Sequence, residues 1–281
     1  MNDELKTEPT PATPAAPAAP AYVASDLSGT LTRGSEPLPP FTVEVINRLL
    51  RAGVPFAFVT GFNYVTTRRI IAGVSPSAWI LALNGALCCR QRKIAWEHLI
   101  PETDARRIYS ALRELDLPLY IFKGRHSGSH VLTHGAGASP PPYHEVSRLN
   151  TFRDIAVISL RAPDLRIGTV RPAVEEMVRG RYQVVYSQGR EHSWLEITPP
   201  QARKDIALER WCRMLGGDPS RTLYAGDNFN DLDALRLAGT SLAVEDAPDP
   251  VKRQASLQAG AVGDQGVARW LNSRWALGVD P

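Results

Sequence analysis

The chain has 281 residues, 43% of them hydrophobic, and a formal charge of +3. That is apolar mass enough for one large domain or two smaller ones, and it excludes a wholly disordered protein. The basic residues are scattered, which argues against a nucleic-acid stripe or a membrane-surface patch and leaves a small anionic substrate compatible.

Residues 1–20 alternate Pro with Ala and Thr after an acidic start, a composition that favours extended conformers and buries nothing. A disordered tail is expected there. It lacks the basic start and apolar stretch of a secretory signal, and no later run approaches the roughly 18 apolar residues of a membrane span. Cys88, Cys89 and Cys212 are odd in number and two are adjacent, so they build neither a disulfide framework nor a metal knuckle. The expectation is a soluble, cytoplasmic protein with reduced thiols; the sequence carries no signal of oligomeric state.

From Tyr22 short apolar runs alternate with helical periodicity, the pattern of a βαβ architecture with a parallel sheet. Tyr22 to Ser25 is a first strand, ending at Asp26 and followed by Leu27-Ser28-Gly29-Thr30. Thr42 to Ala52 carries an apolar stripe of Val45, Ile46 and Leu49 and is predicted helical, stopped by Gly53 and Pro55. Phe56 to Val59 is a second strand ending at Thr60-Gly61, and Ile80 to Leu83 a third ending at Asn84-Gly85. Each strand thus runs into a small polar residue and a nearby Gly, which gathers hydroxyl, amide and backbone donors at the edge that holds Asp26.

Between residues 88 and 194 the character changes, with hairpin-like runs, a Pro-rich loop at 139–142 and all six His. This stretch is predicted to be an inserted α+β domain. Its strands are expected at 119–122, 155–160 and 182–186, and its helices near 104–115 and 170–178. The rhythm of the first segment then resumes. Lys204 to Leu215 is predicted helical, Thr222 to Ala225 a strand ending at Gly226-Asp227, Asp231 to Ala238 a helix, Ser241 to Val244 a strand, and Val267 to Leu277 a closing helix.

In open parallel sheets, ligands sit beyond the carboxyl ends of the strands, so Asp26 is placed to face a site. There it suits attack on phosphorus and metal ligation; it equally suits capping the next helix. Two carboxylates on separate strand ends, Asp26 and Asp227, suit Mg²⁺, a hard ion that takes oxygen ligands and keeps several waters. Asp231 fits three roles: a ligand, a residue that orders the ligands, or an acid in a first helical turn. Lys204 reads as a surface charge unless it points back over Asp26. His126, His130 and His134 recur every four residues, but Gly128, Gly135 and the β-like Val131-Leu132 favour an exposed hairpin over a helical metal face.

The ordered set Asp26-Leu27-Ser28-Gly29-Thr30, Val59-Thr60-Gly61, Asn84-Gly85-Ala86, Lys204 and Gly226-Asp227-Asn228-Phe229-Asn230-Asp231 resembles the haloacid dehalogenase superfamily. It looks most like the Cof-type phosphatases, whose large cap is inserted between the second and third motifs. The resemblance implies an α/β fold, with a Rossmann-like parallel-sheet core formed by residues 21–87 and 195–281 and an α+β cap at 88–194. It implies a Mg²⁺-dependent phosphatase or phosphotransferase acting on a small phosphorylated metabolite, a sugar phosphate by analogy. Asp26 would be the nucleophile that becomes an aspartyl-phosphate, with Thr60 and Lys204 binding the phosphoryl group. Gly61, Asn84, Gly85 and Asn230 would line the substrate side. Asp26, Asp227, Asp231 and the Ser28 carbonyl would surround the metal.

Ser28 departs from the family pattern. Those phosphatases usually carry a second Asp there, which protonates the leaving alcohol and then activates water. The serine hydroxyl does neither near neutral pH, and losing such a group typically costs ~10² to 10⁴ in rate. The P-type ATPases resemble this chain in having a hydroxyl residue there, and their phosphoenzyme persists. Weakly basic leaving groups are therefore expected to be favoured. Phe62 departs too, standing where many relatives have Arg. Two rival readings follow: a non-catalytic, regulatory phosphometabolite-binding protein, which Ser28 favours, and a two-component receiver, which the long insertion after Asn84 disfavours.

Overall fold

The computed structural model describes residues 20–124, 131–134, 143–145, 149, 151–189 and 191–281. Strands β1 (Tyr22–Ser25) and β2 (Phe56–Val59) are joined through helix α1 (Pro40–Arg51), and β2 runs through α2 (Tyr64–Ile70) into β3 (Trp79–Ala82). A hairpin, β4 (Leu87–Arg90) and β5 (Lys93–Glu97), follows at once.

The next residues form a separate layer. It comprises α3 (Glu102–Arg113), β6 (Leu119–Lys123), β7 (Val131–His134), β8 (Tyr143–Glu145), β9 (Ile155–Ala162), α4 (Asp164–Val178), β10 (Gln183–Ser187) and β11 (Ser193–Thr198). The chain then returns through α5 (Lys204–Met214), β12 (Thr222–Gly226), α6 (Leu232–Leu237), β13 (Thr240–Val244), α7 (Asp249–Gln254), β14 (Leu257–Ala259) and α8 (Gly266–Arg274).

The first sheet has eight strands in the order β14-β13-β12-β1-β2-β3-β4-β5. All pairs are parallel except β3 with β4 and β4 with β5. The chain lays β2 and β3 to one side of β1 and β12 to β14 to the other. Strand order therefore reverses between β1 and β12, the place where an open α/β sheet leaves a crevice at its carboxyl edge. Both faces of the sheet are covered, so its strands read as continuous apolar runs: every residue of β2 and β3 is buried. Phe56, Phe58, Leu81 and Trp211 are fully enclosed, each burial worth roughly 1.5–3 kcal/mol.

The second sheet has the order β10-β11-β9-β6-β7-β8, antiparallel apart from β7 with β8. Its side chains alternate between two environments, as period-2 geometry requires. Leu119, Ile121, Ile158, Leu160, Leu195 and Ile197 enter a core of the cap's own, shared with residues of α3 and α4. Tyr120, Phe122, Val157 and Trp194 face the other way and join the core of the parallel domain.

These pairings move both expected domain boundaries. β4 and β5 extend the first sheet, so the insertion begins after Glu97 and not at residue 88; β11 belongs to the second sheet, so it ends at Thr198 and not at 194. The physical reason is that antiparallel strands need only a tight turn, which lets a hairpin join a parallel sheet without a crossover helix. The short edge strand β14 carried no sequence signal. His126 and His130 lie outside the described residues, while His134 ends a strand. No helix among the described residues is long and apolar enough to cross a membrane.

Candidate active site

β1 delivers Asp26 to the crevice. Its backbone N–H donates to the Ala225 carbonyl at 2.8 Å, which ties the end of β1 to the end of β12 and sets Asp26 close to Asp227. Ligand oxygens of Asp26, Asp227 and Asp231 all lie within 4.8 Å of one another. The Gly29 turn allows this approach, because a Cβ there would stand 2.2 Å from Asp227 Oδ2 and its φ is +85°. Thr30 Oγ1 donates to Asp227 Oδ1 at 2.7 Å.

Lys204 opens α5 and is buried, with its ammonium donating to Asp26 Oδ1 and Asp231 Oδ1, each at 2.8 Å. The lysine thus points back over Asp26. Burial works against its charge, but Asp231 and Asp26 outweigh that and hold its pKa above the ordinary lysine range. Asp231 is fully engaged: Tyr224 Oη donates to Oδ1 at 2.5 Å, and the backbone N–H groups of Asp227 and Asn228 donate to Oδ2 at 3.3 and 3.1 Å. The acid therefore orders the loop as well as standing within metal-ligand range.

One lysine faces three carboxylates, and burial raises the pKa of two of them. Burial pushes the Asp227 carboxyl well above the usual range, and Asp26 and Asp231 push it further. Burial raises Asp26 too, Lys204 opposes the rise and Asp231 adds to it.

Thr60 follows β2 and is buried, its Oγ1 accepting from the Phe62 N–H at 3.2 Å. Asn84 follows β3 in a left-handed conformation, φ 54° and ψ 25°, which Asn tolerates better than most residues. The Asn84 N–H donates to the Thr60 carbonyl at 2.9 Å, so the two strand-end turns are hydrogen-bonded to each other. Gly85 is required for packing: its φ is +95°, and a Cβ would come 2.3 Å from Ala207 Cβ on α5.

A cavity of about 680 Å³ opens above these groups, lined on the core side by Asp26, Ser28, Thr60, Gly61 and Asn230 and on the cap side by residues of β6, β9 and β11. Asp227, Asn84 and Gly85 lie beside it, outside its lining. Trp194 meets Tyr120 edge-on at 4.8 Å, and the Arg161 guanidinium lies over the Trp194 ring at 5.7 Å.

The cap also supplies a group that sequence reasoning missed. Glu196 on β11 is 5% exposed, and its Oε2 accepts from Asn84 Nδ2 at 2.6 Å. Asn84 Oδ1 accepts in turn from Asn230 Nδ2 at 3.1 Å, so one amide links the cap to the Asp227 loop. Burial raises the Glu196 pKa to about 7 against the opposing pull of Asn84, Lys204 and Ser159. A lone Glu between Leu195 and Ile197 in an alternating strand was the available signal, since it falls on the face opposite the cap's own core.

A family model for haloacid dehalogenase-like hydrolases matches residues 23–271. The pyridoxal phosphate phosphatase YbhA of Escherichia coli is 24% identical, covering 89% of this chain and 97% of that protein. A phosphoglycolate phosphatase of Methanopyrus kandleri is also 24% identical, covering 89% of this chain and 94% of its own length. Among solved structures, the subclass IIB sugar phosphatase BT4131 superposes with a TM-score of 0.69 at 16% identity, over 91% of this chain and 99% of that one. With its parallel core, inserted cap and strand-end acids, the chain belongs to the haloacid dehalogenase-like hydrolases, in their Cof-type branch.

Proposed function

We propose that the protein is a Mg²⁺-dependent phosphatase of a small phosphorylated metabolite and works through a phospho-Asp26 intermediate. The observation that carries this reading is the placement of Asp26: a buried carboxylate at a strand end, held at 2.8 Å by Lys204 and gathered with Asp227 and Asp231 within 4.8 Å.

The donor set fits a hard divalent cation. It is all oxygen, and three carboxylates gather around one ammonium; burial is the leading cause of the raised pKa values of Asp26 and Asp227, and at Asp227 the neighbouring carboxylates add to it. Asp26, Asp227 and the Ser28 carbonyl would hold the ion, with Asp231 at its margin. When bound, Mg²⁺ supplies positive charge to the phosphate oxygens and to the acid cluster.

Asp26 attacks phosphorus, the bond to the leaving oxygen breaks, and the phosphoryl group passes to the carboxylate. Lys204 would lower the repulsion between two anions, while Thr60 Oγ and the Gly61 N–H, both on the cavity lining, would donate to the transferring oxygens. Water then opens the aspartyl-phosphate and returns Asp26.

Within this class a sugar phosphate is the leading substrate. The Trp194, Tyr120 and Phe122 faces offer apolar surface, and Asn230 Oδ1 is buried without a hydrogen-bond partner among the described residues, so a substrate hydroxyl would satisfy it. The relatives support a phosphorylated metabolite and differ in its chemistry, from pyridoxal phosphate to phosphoglycolate.

A second reading, a binder without turnover, rests on Ser28 alone. Hydrolysis of p-nitrophenyl phosphate with Mg²⁺ by natural protein and by Asp26→Asn separates the two. Loss on the order of 10³-fold or more in the variant, and loss on chelation in the natural protein, are expected. Turnover that survives Asp26→Asn would end the phospho-aspartate reading, and Mg²⁺-dependent phosphate binding without turnover would favour the binder.

A further inference from the structure

We infer that Glu196, contributed by the cap, is the general acid and base that the core lacks at Ser28. This rests on the phospho-Asp26 reading and assigns the proton transfers within it. Asp26 and Glu196 are the two carboxylates among the residues that line the cavity. Their surroundings divide the work: Asp26 is clamped by Lys204, whereas Glu196 is held by neutral partners, Asn84 Nδ2 at 2.6 Å and Ser159 Oγ at 3.5 Å. Glu196 Oε2 lies 3.9 Å from the point where a Gly61 Cβ would stand, beside the Thr60-Gly61 turn. That puts the carboxyl on the cap wall of the cavity whose core side holds Asp26 and the Thr60-Gly61 turn.

The protonation equilibrium agrees with the geometry. A pKa near 7 leaves both forms of Glu196 populated at neutral pH, the condition under which one group serves as acid and then as base. The other charged groups that line the same cavity are Lys204 from α5, Arg161 from β9, Arg69 from α2 and Asp26 after β1; β10 brings none.

In the first step Asp26 forms a bond to phosphorus, the phosphorus bond to the leaving oxygen breaks, and that oxygen takes the Glu196 proton. In the second, water attacks phosphorus as Glu196 takes a proton from it, the Asp26–phosphorus bond breaks, and inorganic phosphate departs. Protons and charge balance over the two steps, and Glu196 ends protonated.

The test compares phenyl phosphate with p-nitrophenyl phosphate, nearly the same shape with leaving groups of different basicity. Quenched-flow phosphorylation of Asp26 in Glu196→Gln should slow by about 10²-fold for phenyl phosphate and by less than about 3-fold for p-nitrophenyl phosphate. Steady-state p-nitrophenyl phosphate turnover should then show a burst, because water activation has become slow. The inflection near neutral pH in natural kcat should vanish in Glu196→Gln and persist, at a lower rate, in Glu196→Asp. Adding Ser28→Asp to Glu196→Gln should restore phenyl phosphate turnover at least about tenfold, which also shows that the variant folds.

Equal losses on both substrates with no rescue would assign Glu196 to cap positioning and overturn the proposal. So would a raised KM with kcat and its pH profile unchanged, the sign of a substrate-binding group. Natural protein that lacks Asp26-dependent turnover would overturn the proposal together with the reading beneath it, whereas losses confined to Glu196 leave that reading standing.

Discussion

In the parallel sheet, Asp26, Thr60 and Asp227 each stand immediately after the last residue of a strand, whereas in the cap sheet Trp194 and Glu196 sit inside one. The core places chemistry by topology: parallel strands deliver their carboxyl ends to one edge, and the reversal between β1 and β12 opens a crevice there. The cap places it by alternation. Leu195 and Ile197 enter its own core, so Trp194 and Glu196 necessarily face the cavity. Core site residues are consequently fixed by the turns that leave the strand ends, and the cap's Trp194 and Glu196 by the pairing of β11 with β9 and β10 on either side.

The sharpest way to break this comparison is to weaken the two cores separately. Phe58 and Ile158 are both fully buried, one in each cluster. Phe58→Ala should cost about 3–5 kcal/mol and Ile158→Ala about 2–5 kcal/mol. Scanning calorimetry should show Ile158→Ala lowering a cap transition while the core transition stays in place. A single transition that shifts as a whole in both variants would mean that Tyr120, Phe122 and Val157, which pack into the core from the cap sheet, weld the layers into one unit.

How much of this was legible in the sequence follows from the same contrast. Asp26, Thr60, Asn84 and Asp227 were readable because apolar runs end at small polar residues and glycines, a local pattern. Lys204 was ambiguous, since nothing within α5 distinguishes a buried lysine from an exposed one; its meaning comes from Asp26 and Asp231, distant in sequence. Strands β4 and β5 were assigned to the insertion because a hairpin's pairing partner is a tertiary fact. The role of Glu196 was ambiguous for a related reason. Its neighbours Leu195 and Ile197 announce a strand, but what the opposite face looks onto depends on how the cap docks.

Stability against pH sharpens the comparison at Glu196. Its folded pKa of about 7 stands above the ordinary value of 4.5, with burial as the leading cause. A raised folded pKa stabilises the protein fully below the unfolded pKa, and that contribution fades as pH rises through 4.5 towards 7. Linkage puts it at about 3 kcal/mol. Asp26 and Asp227 are raised as well and act in the same direction. The informative quantity is therefore the difference between natural protein and Glu196→Gln in urea denaturation. The natural protein should lose more stability from pH 4.5 to 7 than the variant; parallel curves would mean that Glu196 does not titrate between the two states.

The smallest effect concerns Asn84, the residue that joins the two regions through Glu196 and Asn230. It sits at φ 54°, where an alanine side chain costs about 1 kcal/mol and glycine costs no steric strain. Asn84→Ala and Asn84→Gly both delete the amide and with it the hydrogen bond that pulls the Glu196 pKa down, so both should move the neutral-pH inflection of Glu196 upward by the same amount. They should differ in stability alone, Asn84→Ala being the less stable by about 1 kcal/mol, read as a lower urea midpoint at unchanged m value. If the two variants instead moved the inflection by different amounts, the coupling between cap and core would run through the backbone of the Asn84-Gly85 turn, and the separation between topological placement and side-chain placement would fail at that junction.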